Sequence, residues 1–118
     1  MGVASITPSP HALEKAFAWA KRPEEFVKRA GFVLMARKVV RDKALPDATA
    51  RRFLRAAKAG ARDARPLVRK GASWAMREAG KRRAALRAEV VALAREMAAS
   101  ADAGECWVGK DVLRDVAR

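Results

Sequence analysis

The 118-residue chain is one domain's worth of polypeptide, and 51% of its residues are apolar, enough for a hydrophobic core. Alanine dominates that fraction, tyrosine is missing and β-branched residues are few, so an all-α fold is expected and strands are disfavoured. Lys and Arg number 26 against 13 acids, a net charge of +13; the single Cys106 excludes an internal disulfide or CxxC site, and no charge-free window reaches membrane-spanning length.

Taken in chain order, Pro and Gly punctuation divides the sequence into six predicted helices. The first follows Thr7-Pro8-Ser9-Pro10 and carries Leu13, Ala16, Phe17 and Ala20 on its apolar stripe. Pro23 opens the second, with Glu24 and Glu25 at its positive end; it runs to about Asp42, and Phe26, Ala30, Val33 and Val40 are expected on its buried side. Asp47 is the expected cap of the third, which turns Ala50, Phe53, Leu54 and Ala57 inward and ends at Gly60. Pro66 opens the fourth and Gly80 is expected to close it. The fifth buries Leu86, Val90, Leu93 and Met97, and the sixth starts at about Glu105 after the turn from Ser100 to Gly104.

An internal repeat orders these elements. Phe26-Val27-Lys28-Arg29-Ala30-Gly31 recurs as Leu67-Val68-Arg69-Lys70-Gly71-Ala72 and, more weakly, as Trp107-Val108-Gly109-Lys110-Asp111-Val112, at offsets of 41 and 40 residues. A period near 40 with two helices per period is the HEAT or armadillo signature. The expected architecture is one domain over residues 1–118, an α-α superhelix of about three hairpins. The outer stripe of the first hairpin has no obvious polar cap, so self-association through Leu13 and Phe17 is expected.

Charge and aromatic residues suggest the function. From Arg51 to Arg83 there are 12 basic residues against only Asp63 and Glu78. A polyanionic partner is the economical reading, beside the alternative of a generic arginine-rich surface. On the fourth helix Lys70, Trp74, Arg77 and Lys81 share one face. Arg29 is the equivalent of Lys70 one repeat back; Lys110 and Arg114 match Lys70 and Trp74 one repeat forward. Such cations can neutralise successive phosphates, and an exposed indole offers a π-face to a base or sugar. Trp74 is alternatively an inter-helix packing residue, as Trp19 and Trp107 are expected to be.

No Gly-rich phosphate loop, HExxH, GxSxG or carboxylate pair is present, so no catalytic residue is assigned. Neither metal nor cofactor is expected: His11, lacking partners at ligand spacing, reads as a surface residue, and Cys106 as a small buried one. Residues 1–10 hold no basic cluster followed by an apolar run, so a cytoplasmic setting is expected.

Three stretches together, Ala18 to Ala36, Val68 to Arg82 and Trp107 to Arg114, resemble the C-terminal half of the DNA alkylation repair family, the AlkD-like group of HEAT-like-repeat DNA glycosylases. The most specific part is Lys-x-x-Ser-Trp-Ala-x-Arg-x-x-Gly-Lys, from Lys70 to Lys81. The resemblance implies recognition of cationic alkylated purines in duplex DNA on a concave helical surface. It implies that Trp74 is a lesion-facing aromatic, Arg77 a neighbouring backbone contact and Arg29 the arginine of a basic pair one repeat earlier. The family's catalytic aspartate lies in a Trp-x-x-x-Asp segment, expected upstream of the region where this chain begins, and residues 1–10 contain neither residue. Asp111 and Asp115 stand in the places of Gly71 and Ala75 and are expected to point away from the face of Trp74. Enzymatic activity is therefore left open. The DNA-binding residues expected are Arg29, Lys70, Trp74, Arg77, Lys81, Lys110 and Arg114. The competing readings are a HEAT-type scaffold for an acidic protein and an RNA- or ribosome-binding protein.

Overall fold

The computed structural model describes residues 10–117, with side chains from Ala12 to Ala117. The Thr7 to Ser9 cap region and the His11 side chain lie outside the described residues. The helices are α1 (Pro10–Ala20), α2 (Glu25–Arg41), α3 (Asp47–Gly60), α4 (Pro66–Arg82), α5 (Arg87–Ala98) and α6 (Ala103–Val116), with a short 3-10 turn at Ala84–Leu86 leading into α5. No strand occurs among the described residues.

The helices pair as three successive hairpins, α1 with α2, α3 with α4, and α5 with α6. Their second members stack side by side, α2 on α4 and α4 on α6, while α1 lies beside α3. The molecule measures 51 × 33 × 18 Å, and its thinnest dimension is that of two helix layers at about 10 Å each. Polar contacts tie neighbouring hairpins at a common offset. Arg51 reaches Glu89 at 2.8 Å, Lys58 reaches Glu96 at 3.0 Å and Ser73 reaches Asp111 at 2.6 Å, each pair 38 residues apart.

Helix α4 is central and touches α2, α3, α5 and α6. Its composition follows from that position: Gly71, Ala72, Ser73, Ala75, Ala79 and Gly80 are buried, and larger side chains there would hold its neighbours apart. Gly80 does not close the helix, which continues to Arg82; a Cβ at Gly80 would press on Val90 and Val116, so this glycine serves packing. The first and third hairpins share one joint. A Cβ on Gly31 would fall on the α1 backbone at Ala16 and Ala20, and one on Gly109 on the α5 backbone at Ala94 and Ala98.

The core contains Phe32, Met35, Phe53, Val68, Met76, Leu86, Val90, Met97, Val108 and Val112. On α3 the four expected residues are all buried, and on α5 Val90 and Met97 are, with Leu93 only partly covered. The buried face of α2 differs from expectation. Gly31, Phe32, Met35, Ala36 and Val39 point inward, whereas Phe26 is exposed and Ala30, Val33 and Val40 are partly covered. This helix has apolar residues on more than one side, and Phe32, whose ring packs over Gly60, decides which side turns in.

The stripe on α1 is substantially covered. Phe17 packs on Phe53 with ring centroids 5.4 Å apart, and the Arg52 guanidinium lies 4.1 Å from its ring centroid. Asp47 does not cap α3: Pro46 takes the cap position, and Asp47 faces Arg83 at 3.4 Å. Asp102 caps α6, accepting the Glu105 backbone N–H at 2.9 Å. The Cys106 thiol is partly exposed and donates to the Ala98 carbonyl at 3.3 Å.

Candidate nucleic-acid interface

Two neighbouring helices of the second layer, α2 and α4, frame an open cavity of about 320 Å³. Arg29 and Val33 line it from α2; Leu67, Lys70, Gly71, Trp74, Arg77 and Glu78 line it from α4. The spacing of Leu67, Lys70, Trp74 and Arg77 puts all four on one stripe of α4. Gly71 lets α2 approach that stripe, the Cβ of Phe32 lying 3.3 Å from where a side chain at 71 would begin.

Four of the seven sequence-predicted residues, Arg29, Lys70, Trp74 and Arg77, thus converge on one cavity. Trp74 is half-buried. Part of its ring packs against the core, and its Nε1 donates to Glu78 Oε2 at 3.3 Å. Lys81 lies beyond the cavity along α4, with its ammonium 3.0 Å from Asp115 and 3.8 Å from Glu78. Lys110 and Arg114 are exposed on α6 and do not line this cavity. A second, smaller cleft of about 220 Å³ between α4 and α6 is lined by Pro66, Arg69, Lys70 and Trp107, so Lys70 stands between the two.

The expectation for Asp111 and Asp115 is corrected. Both carboxylates face α4. Asp111 accepts from Ser73 Oγ at 2.6 Å and lies 3.9 Å from Arg77 Nε, and Asp115 lies 3.5 Å from Arg77 Nη1. Ser73 is fully buried between the helices, which fixes that flank of α6 toward α4. The hydrogen bond from the Lys81 ammonium, with Arg77 close by, holds the Asp115 carboxyl below its usual range.

Glu78 was not singled out from sequence. It is 8% exposed, lines the cavity beside Trp74, and accepts from Arg82 Nε at 3.0 Å as well as from the indole. Its signal was the four-residue spacing from Trp74, which places the two on one face. Trp19 is partly exposed with the Lys15 ammonium 5.3 Å from its ring centroid, while Trp107 packs partly against the core.

Cations of both layers are matched by carboxylates in part, Arg77 and Lys81 of the second among them. In the first layer Arg51 and Lys58 are bound by Glu89 and Glu96 of the next hairpin. In the second, no carboxylate among the described residues pairs with Arg29, Lys70 or Lys110. No group of three metal-ligating side chains occurs among the described residues, and no described helix is long and apolar enough to cross a membrane.

The sequence pattern described as DNA alkylation repair enzyme matches residues 2–101 of the chain. Arg29, Lys70, Trp74, Arg77 and Lys81 fall inside the matched part, and Lys110 and Arg114 beyond it. No curated protein and no solved structure matches the chain.

Proposed function

The chain belongs to the DNA alkylation repair enzyme family, and from that premise we propose that it is a HEAT-like-repeat module that binds duplex DNA and recognises alkylated purines. The observation that carries this reading is the partly exposed Trp74 in the wall of a cavity edged by Arg29, Lys70 and Arg77. Cations at that pitch suit successive phosphates, and the indole suits a base or sugar face. Lys81, Lys110 and Arg114 extend the same charge toward the third hairpin.

Binding does not entail excision on this reading. Breaking a glycosidic bond to a cationic purine develops positive charge at the sugar, which a free carboxylate stabilises. Glu78, Asp111 and Asp115 are each already faced by cations of α4, namely Arg82, Arg77 and Lys81. Self-association through the N-terminal hairpin belongs to the same proposal. A second copy would meet the partly exposed Leu13 and Leu34 at the mouth of a groove rimmed by Arg37 and Arg41.

The test is a titration of labelled duplex DNA across a range of salt, with structured RNA and an acidic protein as competitors. Affinity that falls steeply with salt and is lost least to RNA supports the proposal. Salt-insensitive binding, or preference for either competitor, transfers the site to another partner.

A further inference from the structure

Phe26 and Leu67 are the large apolar side chains left exposed among the described residues, at 70% and 37% of their surface. Single exposed apolar residues are ordinary, but these two are in register. Phe26, Arg29 and Val33 lie one above another on α2. Leu67, Lys70 and Trp74 repeat that spacing on α4, and Trp107, Lys110 and Arg114 repeat it on α6. Helices α2 and α4 therefore each carry, at their second residue, an exposed apolar side chain followed three residues later by a cation, and the partly exposed Trp107 has the same spacing from the fifth residue of α6. Leu67 shares the larger cavity with Arg29 and Lys70, and the partly exposed Trp107 shares the smaller cleft with Lys70.

We propose that Phe26, Leu67 and Trp107 form an apolar ledge that packs against the deoxyribose faces of one DNA strand, while Arg29, Lys70 and Lys110 hold its phosphates. This rests on the DNA-binding reading above and adds to it a contact that is not ionic. A strand backbone alternates an apolar sugar with an anionic phosphate; residues three apart on a helix place their Cβ atoms about 5–6 Å from each other, a separation that suits that alternation. Charge selects this occupant over a second copy of the chain. The three cations beside the ledge have no carboxylate partner among the described residues, and a copy with a net charge of +13 would bring further cations against them.

The ledge and the cations separate by salt dependence. In anisotropy titrations of a labelled duplex at several salt concentrations, Phe26→Ser and Leu67→Ser should each weaken binding by roughly three- to tenfold, from the apolar area lost to contact. The slope of log affinity against log salt should stay as in the wild type, since no cation is removed. Arg29→Gln should instead flatten that slope by about one. Phe26 is 70% exposed, so the melting temperature of Phe26→Ser should stay near the wild type, while that of Leu67→Ser, whose side chain is partly covered, falls modestly with the fold retained. Wild-type affinity in both Ser variants overturns the ledge and leaves the DNA-binding reading standing. The same holds if their only change is in the sedimentation of the free chain, which makes the patch a contact between copies. Wild-type protein with no salt-dependent duplex binding overturns both.

Discussion

The indole Nε1 of Trp74 donates to Oε2 of Glu78 at 3.3 Å, one helical turn further along α4. That bond, with the packing of Trp74 against the core, holds the indole in the cavity wall. Trp74→Ala should therefore lower duplex affinity by about 1–3 kcal/mol, the range for a lost base or sugar stack. Because the ring is only half-buried, folding stability should fall by less than the roughly 3–5 kcal/mol of a fully buried Trp. Urea denaturation beside a binding titration separates the two. A large stability loss with unchanged affinity makes Trp74 a packing residue.

Asp115 competes with phosphate for two cations of the site. It lies 3.0 Å from Lys81 Nζ and 3.5 Å from Arg77 Nη1. Asp115→Asn should loosen both, leaving Lys81 beside Glu78 and Arg77 beside Asp111, and strengthen duplex binding by up to about 1 kcal/mol, the upper value for an exposed pair. The expected gain shrinks at high salt, and a titration that shows weaker binding in the variant would mean that Asp115 orders these side chains for DNA.

Much of the architecture was legible because the repeat is written in the residues that define it. Phe26 and Leu67 both stand second in their helices, α2 and α4, while Trp107 stands fifth in α6, where Gly109 and not Val112 matches Gly31 at the joint; the three- and four-residue spacing on α3 points to its buried face directly. Helix α2 failed that treatment because its apolar residues surround the axis, and only the fit of Phe32 over Gly60 selects the inward side. The convergence of Arg29, Lys70, Trp74 and Arg77 was legible from period and spacing together. The turn of Asp111 and Asp115 toward α4 was not. Aligning α6 on α4 gave their place in the repeat but not the buried Ser73 hydroxyl that draws Asp111 in.

The joint between α1 and α2 tolerates no side chain at Gly31, where a Cβ would meet the backbone of Ala16 and Ala20. Gly31→Ala should cost at least about 1–3 kcal/mol, the usual penalty for overpacking, since backbone cannot move aside as a side chain can. Gly71→Ala is the control. Its nearest neighbour is the Phe32 Cβ at 3.3 Å, a contact that a small shift relieves. Denaturation midpoints should rank wild type and Gly71→Ala well above Gly31→Ala.

Asp63 ties the α3–α4 loop to α2. Its carboxylate accepts from Arg65 Nη2 at 2.7 Å and from Lys28 Nζ at 3.0 Å, and it also accepts the Arg65 backbone N–H at 3.0 Å. These bonds, Arg65 first, hold its carboxyl well below the usual carboxylate range. A depressed folded-state pKa means stabilisation that is complete above the unfolded value of about 3.9 and is lost as pH falls toward the folded value. Asp63→Asn should therefore cost about 1–3 kcal/mol at pH 7. The gap between variant and wild type should hold steady down to about pH 4 and close below it. Urea melts across that range check the sign; a gap that widens on acidification would refute it.

The purified chain should bind alkylated duplex DNA and release little or no methylated base. Departure of a cationic purine leaves positive charge growing on the sugar, and stabilising that charge takes negative charge aimed at it. Glu78 is the carboxylate nearest the indole, yet its oxygens receive the Trp74 N–H and Arg82, with Lys81 at 3.8 Å. Asp111 is bonded by Ser73 and faces Arg77, and Asp115 is bound by Lys81. Each carboxylate is thus matched by at least one cation within reach, so the field at a sugar in the cavity is set by Arg29, Lys70 and Arg77, which oppose the developing charge. The same cations favour phosphate, so affinity is expected where turnover is not. The measurement is release of 3- or 7-methylpurine from alkylated duplex, beside binding of the same duplex. Robust release abolished by Glu78→Gln, with binding retained, would show that Glu78 exchanges its cations for the sugar and that this chain is a glycosylase in its own right.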